Sequence, residues 1–324
     1  MTATDVELSA ALSAVRRAST ACAAVQGRLA NGEILTKDDD SPVTVADFAA
    51  QAVVCAALSE ALGDVVVVGE EVASDLTDDA QSLLRTGVVD IVSNSFGRPV
   101  PVDRVLEWVS IGSAHATTDR YWTLDPIDGT KGFLRGEQYA IALALIEHGQ
   151  VVAGVLGCPN LPNDNGPPGA IFVATDGLAE VYTTGIARPM PVRVANPTTV
   201  ADAYLCESVE TGHSDQDQSI QIAGLLGITA EPFRIDSQCK YGAVARGDAS
   251  IYLRLPTSAD YVEKIWDHAA GKVLVEQAGG TVTDVDGKPL DFSVGARLSK
   301  NRGVVTTSGA FHADVIDAVG LVLG

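Results

Sequence analysis

The chain has 324 residues, 46% hydrophobic and 20% charged, enough to bury one large or two ordinary hydrophobic cores. Its 22 lysines and arginines stand against 42 aspartates and glutamates, a net charge of −20, which excludes nucleic acid and an anionic membrane as partners. Five cysteines, an odd number with no Cys-x-x-Cys pair, exclude a disulfide framework and a zinc site.

No apolar run reaches the roughly 18 residues of a membrane span. Asp5 and Glu7 spoil the basic start of a signal peptide, so the chain is expected in a reducing cytoplasm. The acidic balance also disfavours an anionic substrate, unless metal ions and local cations reverse the field at the site.

Taken in chain order, residues 5–30 carry apolar side chains at helical spacing (Leu8, Leu12, Val15, Ala18, Cys22, Val25, Leu29) and predict an amphipathic helix packed on a sheet. Residues 37–42 read as a charged turn. A helix resumes at Thr44, with Asp47 three residues on in a capping-box arrangement and Val45, Phe48, Ala52, Cys55 and Ala56 as its apolar face. Capping alone would explain a carboxylate at 47. Residues 65–68, four valines, predict a short buried strand running into Gly69, Glu70 and Glu71. Two adjacent carboxylates at the end of a buried strand call for a cation. Residues 75–118 read as helices with loops.

Residues 121–133, Tyr-Trp-Thr-Leu-Asp-Pro-Ile-Asp-Gly-Thr-Lys-Gly-Phe, are the most informative stretch. Tyr121 to Leu124 predict a strand that stops at a turn carrying two carboxylates. Pro126 removes a backbone donor and Gly129 permits a tight turn, so Asp125 and Asp128 can converge on one point. With the Ile127 carbonyl and the Thr130 hydroxyl they form an all-oxygen set that suits Mg²⁺ or Mn²⁺ better than zinc. A plain turn is the alternative, since Asp, Pro and Gly populate turns in any case.

Four further strands follow at 139–146, 151–156, 170–175 and 178–183, the last two a hairpin through Asp176-Gly177, and these should extend the first sheet. Residues 163–169 form a surface loop. A second unit begins near 190, giving an N-terminal domain over 1–188 and a C-terminal one over 189–324. Ser237 is the expected N-cap of a helix over 238–246 that ends at Gly247, with Lys240 in its first turn, where the helix dipole disfavours a cation. Hydroxyl, free amides and lysine together make an anion site that fits a second phosphate. Ile251, Leu253 and Leu255 share one strand face and leave Tyr252 and Arg254 on the other. Arg254 either reaches the same anion or is a solvated charge. Trp266 and Asp267 open a helix running to Ala278, and Asp267 taken alone reads as its N-cap.

Asp-Pro-Ile-Asp-Gly-Thr after a strand resembles the signature of the lithium-sensitive, magnesium-dependent phosphomonoesterases that include the inositol monophosphatases. The longer string from Trp122 to Gln138 resembles the 3′(2′),5′-bisphosphate nucleotidases within that group, and the likeness runs from Lys37 to Ser308 with motifs in order. It implies an α/β (α+β) sandwich of alternating helix and sheet layers, αβαβα. It implies Glu70, Asp125, the Ile127 carbonyl, Asp128 and Asp267 as ligands of two or three Mg²⁺ ions, with Mn²⁺ able to substitute and Li⁺ inhibitory. Asp47 and Thr130 would activate the attacking water. Gly129, Thr130, His213, Ser237, Lys240 and Arg254 would contact substrate.

The implied reaction of a monomer on a small phosphorylated nucleotide is adenosine 3′,5′-bisphosphate plus water giving AMP and phosphate, with 3′-phosphoadenylyl sulfate as second substrate. Residues 113–118, Ser-Ala-His-Ala-Thr-Thr, depart from the glycine-rich, basic segment of the family and put local substrate contacts in question. Two rivals share the metal residues: an inositol phosphate phosphatase, and a non-catalytic sensor of metal or phosphonucleotide.

Overall fold

A computed structural model describes residues 2–31, 42–78, 81–116, 118–163, 166–184, 186, 188–209, 216–256, 258 and 261–324. The first layer is helical. α1 (Asp5–Ala30) opens with a capping box in which Thr4 and Glu7 satisfy each other's amides. It buries Ala10, Ala14, Ala18, Ala21 and Val25 along one stripe, small residues that let α2 (Pro42–Leu62) approach closely. α3 (Ser74–Thr77), α4 (Ser82–Phe96) and α5 (Val102–Ile111) complete the layer.

Seven strands form the first sheet in chain order: β1 (Val67–Gly69), β2 (Arg120–Asp128), β3 (Ala140–Glu147), β4 (Gln150–Cys158), β5 (Ala170–Thr175), β6 (Leu178–Thr183) and β7 (Met190–Pro191). Only β1 and β2 pair in parallel; every later neighbour is antiparallel. β3 shows why both faces are covered. Ile141, Leu143 and Leu145 enter the core under α1 and α2, while Ala140, Ala142 and Ala144 face the opposite core.

That second core is closed by α8 (Cys239–Arg246) and α9 (Ala269–Gln277), which also pack on a second sheet. Its strands are β8 (Leu205–Glu207), β9 (Phe233–Arg234), β10 (Ile251–Arg254), β11 (Thr281–Thr283) and β12 (Val304–Thr307), in the order β11-β12-β10-β8-β9. α7 (Gln216–Leu225) and α10 (His312–Leu323) cover its far face with Ile222, Val315 and Val319. Tyr252 joins the middle core while Ile251, Leu253 and Leu255 join the outer one, the division expected from strand alternation. The result is the five-layer αβαβα arrangement, and the first sheet runs to Pro191, just past residue 188.

Local readings change in several places. α2 begins at Pro42, so Thr44 and Asp47 lie inside it and form no capping box; residues 37–41 and His213 lie outside the described residues. α9 begins at Ala269 with His268 at its N-cap, so Asp267 precedes the helix and does not cap it. Gln238, not Ser237, is the N-cap of α8. Finally, the stretch Thr44–Leu62 is long and apolar enough to cross a membrane by composition, contrary to the expectation from the sequence. Of its most apolar window 72% is buried in the protein, and a helix that is apolar all round is what a doubly covered core position requires.

Candidate active site

Because β1 and β2 are parallel, their carboxyl ends leave the sheet side by side. Glu70 follows β1 directly, and its amide donates to the Leu124 carbonyl at 3.2 Å, which sets it beside Asp125. Gln51, fully buried on α2, holds the next residue from behind. Its Oε1 accepts the Glu71 amide at 3.1 Å and its Nε2 donates to the Glu71 carbonyl at 2.7 Å.

β2 does not stop at Leu124, as the sequence suggested, but continues to Asp128 with a shift of register against β3 between Asp125 and Asp128. Pro126 has no N–H to give a ladder, so a bulge falls there, and it turns both carboxylates toward one cavity. Ile127 packs its side chain in the first core while lining that cavity, which leaves its backbone as the part facing in.

Gly129 then adopts φ 89° and starts α6 (Thr130–Arg135) at Thr130. A Cβ at Gly129 would lie 2.7 Å from Ser237 Cβ, so its absence lets the loop before α8 close over the motif. Ser237 itself sits at φ 65°, and its Oγ accepts the Cys239 amide at 3.2 Å. The Gln238 amide donates to Asp128 Oδ2. The N-terminus of α8 is therefore aimed at a carboxylate of the motif, as its dipole favours. A Cβ at Gly132 would strike the Gln138 carbonyl oxygen. Gly132→Ala should therefore destabilise the protein by about 1–3 kcal/mol, measured by thermal or urea unfolding.

These elements enclose a cavity of about 230 Å³ lined by Glu70, Asp125, Ile127, Asp128, Gly129, Thr130, Ser237, Lys240, Arg254 and Asp267. Asp47 lies behind it, 7% exposed, close enough that Glu70 and Glu71 act on its charge. No direct hydrogen bond joins Asp47 to Thr130 among the described residues. Nor does any described residue of 113–118 line the cavity; Ser113 instead bridges to Val68 and accepts the Ala73 amide.

The electrostatics are those of a crowded acidic centre. Burial, then Asp267 and Asp128, push the Glu70 carboxyl up to about 7, although a hydrogen bond with Asp125 works the other way. Burial and the charges of Glu70, Asp128 and Asp267 raise Asp125 well above the usual carboxylate range. Asp267 is pushed up to about 6 by burial and Asp128, against the pull of His268 and Arg254.

Desolvating a carboxylate costs several kcal/mol, and neighbours of the same sign add to it. Asp125 Oδ1 is buried without a hydrogen-bond partner among the described residues. An orphaned buried oxygen amid four converging carboxylates is a donor set that fits a hard divalent cation. Glu263, Asp267 and His268 also bring ligand atoms within 4.8 Å of one another, but Arg254 Nε binds Glu263 at 2.9 Å, and Asp267 is the member that lines the cavity.

On the far wall Lys240 is 4% exposed, with Nζ 5.2 Å from the Tyr252 ring centroid, and burial lowers its pKa. Arg254 lines the cavity between Glu263 and Asp267 and is not a solvated strand-face charge. Sequence reasoning overlooked Asp236, which lines the cavity, accepts the Val209 amide at 3.1 Å and pairs with Arg135. It stands next to the Ser237 that drew attention, and no periodicity marks it. Gln51 left a clearer trace, a lone amide in an otherwise apolar helical run.

Fold and site together define a layered α/β protein with a carboxylate-rich metal-type centre, and the chain belongs to the inositol monophosphatase family, whose model matches residues 1–320. That family is metal-dependent. Within it, the chain is 43% identical to a 3′(2′),5′-bisphosphate nucleotidase of Schizosaccharomyces pombe, over 98% of this chain and 96% of the relative. It is 42% identical to a 3′(2′),5′-bisphosphate nucleotidase of Emericella nidulans, over 96% of each. The fold is shared with an inositol monophosphatase from Thermotoga maritima at a TM-score of 0.64 and 19% identity, covering 96% of this chain and 95% of that one.

Proposed function

We propose that this protein is a Mg²⁺-dependent phosphatase that releases the 3′-phosphate of adenosine 3′,5′-bisphosphate, giving AMP and phosphate, and acts likewise on 3′-phosphoadenylyl sulfate. One observation carries the reading. A single cavity sets four carboxylates against a buried lysine and an arginine, so it offers a place for metal and a separate place for a second anion. The similarity to bisphosphate nucleotidases over nearly the whole chain supports the same choice.

Glu70, Asp125, the Ile127 carbonyl, Asp128 and Asp267 would hold two or three Mg²⁺ ions, with Mn²⁺ as substitute and Li⁺ as inhibitor. Bound there, the ions supply charge neutralisation at the attacking and leaving oxygens of an in-line displacement. The chain's own groups do the rest. Asp47, its carboxyl raised by burial and by Glu71 and Glu70, is suited to take a proton from the attacking water. The Thr130 hydroxyl orients that water. Lys240 and Arg254, with the Ser237 hydroxyl and the first turn of α8, receive the phosphate that is not cleaved. His213, which lies outside the described residues, would join them, and Gly129 would contact the substrate through its backbone. The five cysteines are buried free thiols, which supports a reducing compartment such as the cytoplasm.

Phosphate release from adenosine 3′,5′-bisphosphate and from inositol 1,4-bisphosphate, measured side by side with Mg²⁺ and then with added Li⁺, tests the reading. Rapid, lithium-sensitive release from the nucleotide is expected. Lys240→Ala should raise KM for it by about tenfold or more, the scale of one charge-assisted hydrogen bond. Preference for the inositol compound would keep the metal site and discard the nucleotide. Saturable binding without release would make the protein a sensor.

A further inference from the structure

Arg254 is held at the cavity wall by a buried chain of hydrogen bonds that reaches back into the middle core. Its Nε donates to Glu263 Oε2 at 2.9 Å, and Glu263 is only 4% exposed. The same carboxylate oxygen faces His268 Nε2 at 3.1 Å, and His268 Nδ1 lies 2.7 Å from the Tyr241 hydroxyl. An ionised carboxylate only accepts, so His268 donates through Nε2, and its Nδ1 is paired with the Tyr241 hydroxyl. Tyr241 cannot retreat, because its ring packs on Gly271 of α9, where even a Cβ would collide.

On its outer side Arg254 reaches toward Asp267 Oδ2 at 3.7 Å and the Tyr261 hydroxyl at 3.3 Å. The guanidinium thus stands between two carboxylates with opposite claims on it. Glu263 lies behind and closer, at 2.9 Å against 3.7 Å; Asp267 lines the cavity. Burial opposes charge on Glu263, but His268 and Arg254 overcome it and hold the carboxyl down at about 2.

We propose that Glu263, backed by His268 and Tyr241, is a positioning residue that anchors Arg254 so that its outer N–H groups are presented to the uncleaved phosphate instead of pairing with Asp267. This rests on the reading of the cavity as a bisphosphate site. A planar guanidinium loses little affinity when it is already oriented, and much when it must first be freed from a competing carboxylate. Glu263 therefore sets how well a second phosphate is recognised, without touching substrate itself.

Kinetics and calorimetric binding of adenosine 3′,5′-bisphosphate across Glu263→Ala, Glu263→Gln, Arg254→Ala and the Glu263→Ala/Arg254→Ala pair test this. Glu263→Ala is expected to raise KM and the dissociation constant by about tenfold while kcat falls less than about threefold. Glu263→Gln, which keeps an acceptor for Arg254 Nε, should recover most of that loss. In the Arg254→Ala background, Glu263→Ala should change neither quantity further, because the residue acts only through the arginine. Additive losses, or a fall in kcat with KM unmoved, would overturn the proposal. If Glu263→Ala fails to fold, Glu263→Gln and the double variant still decide it. A parent protein that binds the nucleotide with this pattern but releases no phosphate refutes the catalytic reading alone; one that does not bind it refutes both.

Discussion

Asp125→Asn should lower kcat by at least about 10³-fold while leaving the fold intact, the scale of losing several kcal/mol of transition-state charge stabilisation. Asp125 stands at the centre of the acidic group: it is 2% exposed, hydrogen-bonded to Glu70, and its Oδ1 has no hydrogen-bond partner among the described residues. An amide of the same shape fills the same space but cannot neutralise a divalent cation. Because the substitution removes one of four mutually repelling charges, the variant should be at least as stable as the parent in metal-free buffer. Phosphate-release kinetics and metal-free thermal unfolding read the two effects separately. Unfolding of the variant would show that Asp125 holds the bulge of β2 together and is structural.

In metal-free buffer, stability should fall as pH rises from about 4.5 through 7, and saturating Mg²⁺ should remove most of that slope. The sign follows from the shifts. Glu70 and Glu71 are raised from the ordinary 4.5 to about 7 and Asp267 from 3.8 to about 6, with Asp47 and Asp125 also raised. The folded state therefore holds protons that the unfolded chain releases, so its stability is greatest below the unfolded pKa and is lost as pH climbs through the folded one. For Glu70 alone the displacement corresponds to roughly 3 kcal/mol. Neighbouring carboxylates share the proton cost, so the individual contributions do not simply add. Bound cations replace the protons and favour the ionised forms. Chemical unfolding at pH 5 and pH 8, each with Mg²⁺ and with chelator, measures the difference; equal stability at both pH values without metal would contradict it.

Much of this site was legible in the sequence because its carboxylates sit where short-range rules make them conspicuous. Glu70 ends a run of valines, and Asp125 and Asp128 flank a proline that no central ladder accepts. Individual strands were legible for the same reason, since β10 alternates cleanly and the hairpin at Asp176-Gly177 carries its own turn signal, while their stacking into five layers was expected only from the resemblance to the family. What failed was local. The stop expected at Leu124 proved to be a bulge within a strand, because pairing with β3 outweighs the turn preference of Asp-Pro. Thr44 looked like a cap, yet α2 begins two residues earlier at Pro42, whose fixed φ suits the first turn of a helix. Ser237 was placed one residue from the true N-cap, its φ of 65° set by the close approach to Gly129, which no window of sequence reveals. Asp236 was missed because its partner, Arg135, is distant in the chain, and Glu263 because no periodicity or turn signal marks its pairing with Arg254.

The claim that these carboxylates make a metal-dependent phosphatase site is tested most directly by stripping the parent protein with a chelator and following phosphate release from adenosine 3′,5′-bisphosphate as Mg²⁺ is returned. No release without metal, and a saturable rise on adding it, is the result expected. Release that persists in excess chelator, or none at any Mg²⁺ concentration despite bound nucleotide, would contradict the account.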